Sequence, residues 1–279
     1  MKIISTVQEF RMWRKGITGF VGFVPTMGGL HAGHFSLIDQ SRKVCQNTVV
    51  SIYLNPTQFA IGEDFDSYPK SVDNDIEELK HYQTDCVFLP SDSEIYPKRF
   101  GSIVEVEGIS RFLEGKSRPH FFQGVTTVVS KLFNIVEPTH AFFGEKDAQQ
   151  LLIIQKMVID LNFPIEIISC PIIREKNGLA MSSRNQNLTN EQRNQASAIF
   201  LGLQLGKNLL VEGEKNAQVI RAQIEKKISS ESSLTIDYIS VADSTTLEEI
   251  ISEIQRDVLV SVAAYLGKVR LIDNFIFSV

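Results

Sequence analysis

The feature that most constrains this chain is an alternation, over its first 170 or so residues, of short apolar runs with stripes of apolar residues at helical spacing. Gly19-Phe20-Val21-Gly22-Phe23-Val24 is an apolar run ending at Pro25 and reads as a buried strand. A helical pattern starts near Gly33, with Leu37, Ile38 and Val44 on one side. A second run, Thr48 to Leu54, closes at Asn55-Pro56. Strand, helix and strand within about 35 residues is the size of a βαβ unit, so the two strands are expected to be parallel. The rhythm repeats. Val72, Ile76 and Leu79 precede Cys86-Val87-Phe88-Leu89. The stripe Val125 to Val136 precedes Ala141-Phe142-Phe143. Leu151, Leu152, Ile154 and Val158 precede Ile165 to Ser169. Such alternation predicts an α/β, Rossmann-like domain on a mostly parallel sheet. Ligands of such sheets bind outside the carboxyl ends of the strands, which directs attention to the loops after Val24, Leu54 and Phe143.

The texture changes after Arg174. Glu175-Lys176-Asn177-Gly178 is a polar turn. Thr189 with Gln192 forms a capping box for a long helix through Leu210, and Ile220, Ile224 and Ile228 mark a second helix. Strands follow at Thr235 to Val241, Val258 to Tyr265 and Lys268 to Ile272. The expected organisation is a domain over residues 1–175 followed by a smaller α+β lid domain over residues 176–279.

Charge narrows the partners. The net charge is -5, so no broad basic field is available to track a nucleic-acid backbone. A small anion needs only a few local cations. Cys45, Cys86 and Cys170 are single and widely spaced, as expected of reduced core thiols rather than disulfides or a zinc site. Charged residues follow Met1-Lys2-Ile3-Ile4 closely, and Val258 to Leu266 is too short to cross a bilayer. The expected location is the cytoplasm, with no membrane partner. Asn187-Leu188-Thr189 matches a glycosylation acceptor by chance, since Thr189 serves as a helix cap.

Four segments carry chemistry. In Pro25-Thr26-Met27-Gly28-Gly29-Leu30-His31-Ala32-Gly33-His34 two glycines allow backbone dihedrals that other residues avoid. Both imidazoles can face a helix amino terminus, which already favours a phosphate. In Asn55-Pro56-Thr57-Gln58-Phe59 an amide at a strand end can bind a small polar substrate or cap the loop. In Gly144-Glu145-Lys146-Asp147-Ala148-Gln149-Gln150, Lys146 can reach phosphate oxygens and Asp147 can accept from ribose hydroxyls or cap the helix; Gln149 and Gln150 cannot both face one side. In Gly178-Leu179-Ala180-Met181-Ser182-Ser183-Arg184-Asn185, hydroxyls beside an arginine suit a pyrophosphate. Glu114-Gly115-Lys116-Ser117 imitates a P-loop tail, but Ser110 stands where the first glycine would be.

His31-Ala32-Gly33-His34 resembles the His-x-Gly-His element of the nucleotidylyltransferase superfamily. The longer run from Pro25 to His34 resembles the pantothenate synthetase family, as do Asn55 to Phe59, Phe143 to Gln150 and Gly178 to Asn185. The likeness extends to Ala264-Tyr265-Leu266-Gly267 and Arg270-Leu271-Ile272-Asp273-Asn274. One run departs. The family's Arg-Pro-x-His-Phe-x-Gly-Val is Arg118-Pro119-His120-Phe121-Phe122-Gln123-Gly124-Val125 here, with Phe121 at the histidine position.

The resemblance implies an AMP-forming ligase that joins pantoate to β-alanine through a pantoyl adenylate, with ATP as substrate and Mg2+ as companion ion. It implies catalytic roles for His31, His34 and Lys146. It implies ATP contacts from Met27, Gly28, Gly29, Leu30, His31, Ala32, Gly33 and His34, from Gly144, Glu145, Lys146 and Asp147, and from Ile173, Met181, Ser182, Ser183 and Arg184. Gln58 and Gln150 are implied for pantoate and β-alanine, and a homodimer for the assembly; no protein ligand for magnesium follows. Two rivals remain at this level. Another nucleotidylyltransferase would share the histidines but has no reason for Asn55 to Phe59. A non-catalytic nucleotide-binding module would keep Lys146 and Asp147 without needing both histidines.

Overall fold

The structure is a computed structural model describing residues 1–60, 62–69 and 71–279. The first half runs β1 (Lys2–Ile4), α1 (Val7–Lys15), β2 (Val21–Thr26), α2 (Ala32–Val44), β3 (Asn47–Ile52), α3 (Val72–His81), β4 (Cys86–Phe88), α4 (Asp92–Ile95), α5 (Glu114–Ser117), α6 (Phe121–Val136), β5 (His140–Gly144), α7 (Ala148–Asp160) and β6 (Glu166–Cys170). Its six strands form one parallel sheet in the order β1-β4-β3-β2-β5-β6. The central strands β2 and β3 are buried along nearly their whole length, which is why they read as unbroken apolar runs. One core lies on one face around Phe10, Phe88, Phe133 and Met157, and a second lies on the other around Ile38, Leu79 and Phe142.

The order reverses between β2 and β5, the switch point where such sheets open a crevice. Pairing of β2 with β5 lasts only from Gly22 to Phe23, while pairing with β3 continues to Thr26. Strand β2 therefore runs through Pro25 instead of stopping there. Val21 turns its carbonyl toward Thr139 at the start of β5, and Pro25, four residues on, faces the same side. With no ladder left on that side, the missing N–H breaks nothing. Beyond Phe23 the two strands part and leave the crevice.

The second half contains α8 (Asn190–Val211), α9 (Ala217–Ser229) and an antiparallel sheet β7-β8-β9 (Leu234–Asp243, Val258–Leu266, Val269–Phe277). The capping box is present: Thr189 Oγ1 accepts from the Gln192 N–H at 3.2 Å, and Gln192 Oε1 accepts from the Thr189 N–H at 2.9 Å. Ile199, Leu203, Ile220, Ile224 and Ile228 pack on the inner face of this sheet. Strand β9 runs five residues beyond the expected end at Ile272, because Asp273 and Asn274 interrupt the apolar pattern while remaining buried. Strand β1 and helix α1 have no counterpart in the sequence reading; a three-residue edge strand is too short to show a period. The halves meet through Ala148, Leu247 and Leu259 and through ion pairs described below. The three cysteines are free and buried. No described helix is long and apolar enough to cross a membrane.

Candidate active site

The loop from β2 to α2 is held from three directions. Gly28 and Gly29 have φ of 86° and 63°, which turns successive N–H groups the same way. The buried carboxylate of Asp75, on α3, accepts from the Gly29 and Leu30 N–H groups, each at 2.8 Å. Ser183 Oγ donates to the Gly29 carbonyl at 2.9 Å. His31 is then the N-cap of α2. Its Nδ1 accepts from the Gly33 N–H at 3.1 Å, and His34 Nδ1 accepts from the His31 N–H at 3.3 Å. The two imidazoles thus form a capping box, with ring centroids 4.1 Å apart. Because each Nδ1 accepts, the neutral ring carries its proton on Nε2. Burial and then Lys146 push the His31 pKa down to about 4. Burial, His31 and Lys146 hold His34 well below its ordinary value. Near neutral pH the pair is uncharged, with two N–H donors left over for a ligand.

A cavity of about 850 Å³ opens between the ends of β2 and β5 and extends under the second half. It is large enough for a nucleotide with a small acid. Helix α6 presses on the 56–58 turn through Gly124, where a Cβ would meet the Thr57 carbonyl at 2.4 Å. Asn55 caps that turn, accepting from the Thr57 N–H and from Tyr96 and donating to the Gly124 carbonyl. Asn55 is thus the loop cap, while Gln58, 8% exposed, lines the cavity.

Among the described residues, the arginines on the cavity wall are each gripped by a carboxylate through two prongs. Arg118 holds Glu63 at 2.6 Å on both prongs, Arg184 holds Asp64 at 2.6 and 2.9 Å, and Arg270 holds Glu114 at 2.6 and 2.8 Å. Burial works against the Glu63 and Asp64 carboxylates, but the guanidinium hydrogen bonds outweigh it and keep both below the usual range. Lys146 has only the looser contact with Asp147, at 3.7 Å. Its ammonium is not forked by a carboxylate as the three wall arginines are. Arg118 also donates to the Gln58 carbonyl and lies 3.9 Å above the Phe121 ring.

The sequence model of the family described as pantoate-beta-alanine ligase matches residues 2–276. The chain belongs to that family. It is 49% identical to a pantothenate synthetase of Pseudothermotoga lettingae, with 100% of this chain and 99% of the relative covered. It is 46% identical to one of Thermotoga petrophila, both chains covered in full. A pantothenate synthetase structure from Thermus thermophilus superposes with a TM-score of 0.94 at 38% identity, covering 99% of each chain. A pantoate-beta-alanine ligase from Francisella tularensis, described as complexed with beta-gamma ATP and beta-alanine, superposes at 0.80 with 34% identity, covering 99% of this chain and 97% of its own.

For a member of this family, most residues singled out in the sequence converge. Met27, His31, Gly33, His34, Gln58 and Gly144 line the one cavity, with Lys146, Asp147, Gln150 and Ile173. Met181, Ser182, Ser183 and Arg184 close it from the second half. Gly28, Gly29, Leu30, Ala32 and Glu145 do not line it. Gly29 and Leu30 instead border a shallower hollow beside Asp75, so their part is to shape the turn. Asp147 is the N-cap of α7 without a side-chain cap bond. Gln149 turns away from Gln150 to hold the 109–114 loop, bonding Glu114 N–H and the Ile109 and Phe112 carbonyls. The family's histidine position is filled by Phe121 on the cavity wall, and His120 is exposed at the start of α6. The P-loop imitation is the short helix α5, with Glu114 engaged by Arg270. Sequence reasoning missed Asp75, Glu63 and Asp64, which carry no motif and lie on a helix and a loop packed behind or across the cavity.

Proposed function

We propose that the chain catalyses the ATP-dependent condensation of pantoate with β-alanine to give pantothenate, AMP and pyrophosphate by way of a pantoyl adenylate. The observation that carries the reading is the convergence of the neutral His31–His34 pair, Lys146 and the Ser182–Arg184 loop on one cavity at the sheet's switch point.

The pantoate carboxylate attacks the α-phosphorus of ATP and pyrophosphate departs. The amine of β-alanine then attacks the acyl carbon and AMP departs. Neither step requires a protein nucleophile, so the chain positions reactants and stabilises charge. His31 and His34 donate Nε2–H to phosphoryl oxygens as charge grows on them. Lys146, Ser182, Ser183 and Arg184 hold the departing pyrophosphate, and Arg184 exchanges Asp64 for phosphate to do so. Gln58 and Gln150, whose side chains bond no described residue, hold pantoate and β-alanine. Residues 1–175 bind the nucleotide and pantoate, and residues 176–279 form the lid that covers them.

Magnesium fits as an ion carried in by the triphosphate. No cluster of three or more His, Cys, Asp or Glu ligands exists among the described residues. Of the carboxylates on the cavity wall, only Asp147 is not forked by an arginine. Phosphate oxygens and water would hold the ion, with Asp147 beside them, and it would supply neutralisation of phosphate charge. We further propose a cytoplasmic homodimer, on the family resemblance; light scattering of the eluted protein checks the assembly.

The test is an omission assay. AMP and pyrophosphate should form only when ATP, pantoate and β-alanine are all present under turnover conditions. ADP in place of AMP would overturn the reading.

A further inference from the structure

We propose that Asn274, with Asp273 beside it, is a positioning residue for Lys146 that ties the lysine turn to the Ser182–Arg184 loop from the last strand of the chain. The proposal rests on the reading above that Lys146 acts on the phosphates.

Lys146 sits in a single 3₁₀ turn, Glu145–Asp147, between β5 and α7. Neither Gly144 before the turn nor Asp147 at the start of α7 supplies a side-chain cap. What holds the turn is the far half of the molecule. The side-chain amide of Asn274, 5% exposed, donates to the Glu145 carbonyl at 3.1 Å and to the Lys146 carbonyl at 2.7 Å. Two donors of one planar group on two successive carbonyls fix both the height and the rotation of the turn. The Lys146 side chain, four carbons long, inherits that placement.

The neighbouring residue reaches the other phosphate-directed segment. Asp273, 4% exposed, takes two prongs from Arg174, at 2.6 and 3.0 Å. Its Oδ1 also accepts the Asn274 N–H at 2.8 Å. Arg174 Nη1 donates in addition to the Gly178 carbonyl at 3.0 Å. Gly178 is the corner of a hairpin in which Ile173 to Glu175 pairs with Leu179 to Met181, and that hairpin delivers Ser182 to Arg184. Adjacent residues of one strand therefore hold the two segments that, on the reading above, grip one pyrophosphate. A carboxylate and an amide buried in mid-strand cost desolvation that a pair of apolar residues would avoid. Simple adhesion between the halves does not require them, because Ala148, Leu247 and Leu259 already supply an apolar contact.

The experiment is a double-mutant cycle of Asn274→Ala with Lys146→Ala, read by exchange of labelled pyrophosphate into ATP in the presence of pantoate, and by net synthesis. With Lys146 in place, Asn274→Ala should slow exchange by about tenfold or more, as misplacement by an ångström can. The KM for β-alanine should stay within about twofold. In the Lys146→Ala background the same change should alter exchange by less than about twofold, because the group it positions is gone. If Lys146→Ala exchanges too slowly to follow, dissociation constants for ATP on the four proteins form the same cycle. Should Asn274→Ala fail to fold, Asn274→Ser, which keeps one donor, takes its place. Equal losses in both backgrounds, or no loss with Lys146 present, would overturn the proposal. An unsubstituted protein that exchanges no pyrophosphate would instead defeat the functional reading, and would show it before any variant is compared.

Discussion

The His31–His34 turn and the Ser182–Arg184 loop face the same cavity but are secured by different physics. The histidine turn is held by short-range hydrogen bonds that a ligand has no reason to break: Asp75 on two backbone N–H groups, Ser183 on Gly29, the His31 ring on the Gly33 N–H and the His34 ring on the His31 N–H. Arg184 is held by a carboxylate, Asp64, that a phosphate would displace, with both side chains more than a quarter exposed. The first region is preorganised, and in the proposed mechanism it lowers the barrier. The second is exchangeable, and in the proposed mechanism it serves capture and release. Among the described residues, the Ser183 hydroxyl links the two regions by donating to the Gly29 carbonyl.

The largest expected effect lies in the preorganised region. His34→Ala should slow turnover about 10²–10³-fold, the usual cost of one lost donor at a reacting centre, with ATP affinity little changed. Steady-state kinetics with calorimetry for ATP separates the two quantities. Near-normal turnover would break the comparison at its root.

Next comes Asp75→Ala, which touches no ligand. It leaves the Gly29 and Leu30 donors without a partner, at a cost of about 1–3 kcal/mol for each that stays buried. Turnover should fall about tenfold and the melting temperature should drop. Asp75→Asn should fall between, since an amide offers one acceptor oxygen where two N–H groups need one each. A full loss of stability with kinetics unchanged would make Asp75 a fold residue only.

Gln58→Ala and Gln150→Ala belong to neither region and serve as the contrast. Each should raise the pantoate requirement about tenfold, the loss of one or two hydrogen bonds to a charged substrate, and leave ATP titrations alone. Loss of ATP binding with pantoate binding intact would place the acid pocket elsewhere.

Acid stability sharpens the comparison further. The His31 pKa is lowered when folded, from an ordinary 6.5 to about 4, so between those values the unfolded chain binds more protons than the native one. Stability is therefore full above pH 6.5 and declines as pH falls toward 4. His34 shifts in the same direction and adds to the decline. Melting curves across this window should show the slope, and His31→Gln should flatten it. A slope of opposite sign would mean the pair is charged in the native state.

The smallest effect belongs to the exchangeable region. Asp64→Asn frees Arg184 from its internal carboxylate and should tighten ATP binding by a few-fold at low salt, with turnover nearly unchanged. Weaker binding in this variant would show that Asp64 orients the arginine instead of competing for it.

How much of this was legible in the sequence differs between the same two regions. Periodicity placed nearly every long element and the strand-end loops where ligands gather, because buried parallel strands must be continuously apolar. The histidine spacing placed the pair at a helix start, but the capping role of the two Nδ1 atoms depends on ring orientation, which no spacing encodes. The pairing of Arg184 with Asp64 spans 120 positions and carries no local signature. Asp75 lies on α3 outside the apolar stripe Val72, Ile76 and Leu79 and belongs to no motif. Asn274 lay inside a recognised run, yet its polar character only shortened the predicted strand.

The central claim is that the histidine pair is neutral, with its protons on Nε2, before any ligand arrives. Nitrogen-15 spectra of the imidazole rings in the ligand-free protein, followed from pH 8 to pH 5 and assigned with His31→Ala and His34→Ala, test it directly against the other three histidines, His81, His120 and His140. The account predicts that both rings hold hydrogen on Nε2 alone and do not titrate in that range. A ring at position 31 or 34 that takes up a second proton near pH 6.5, or that carries its hydrogen on Nδ1, would contradict it.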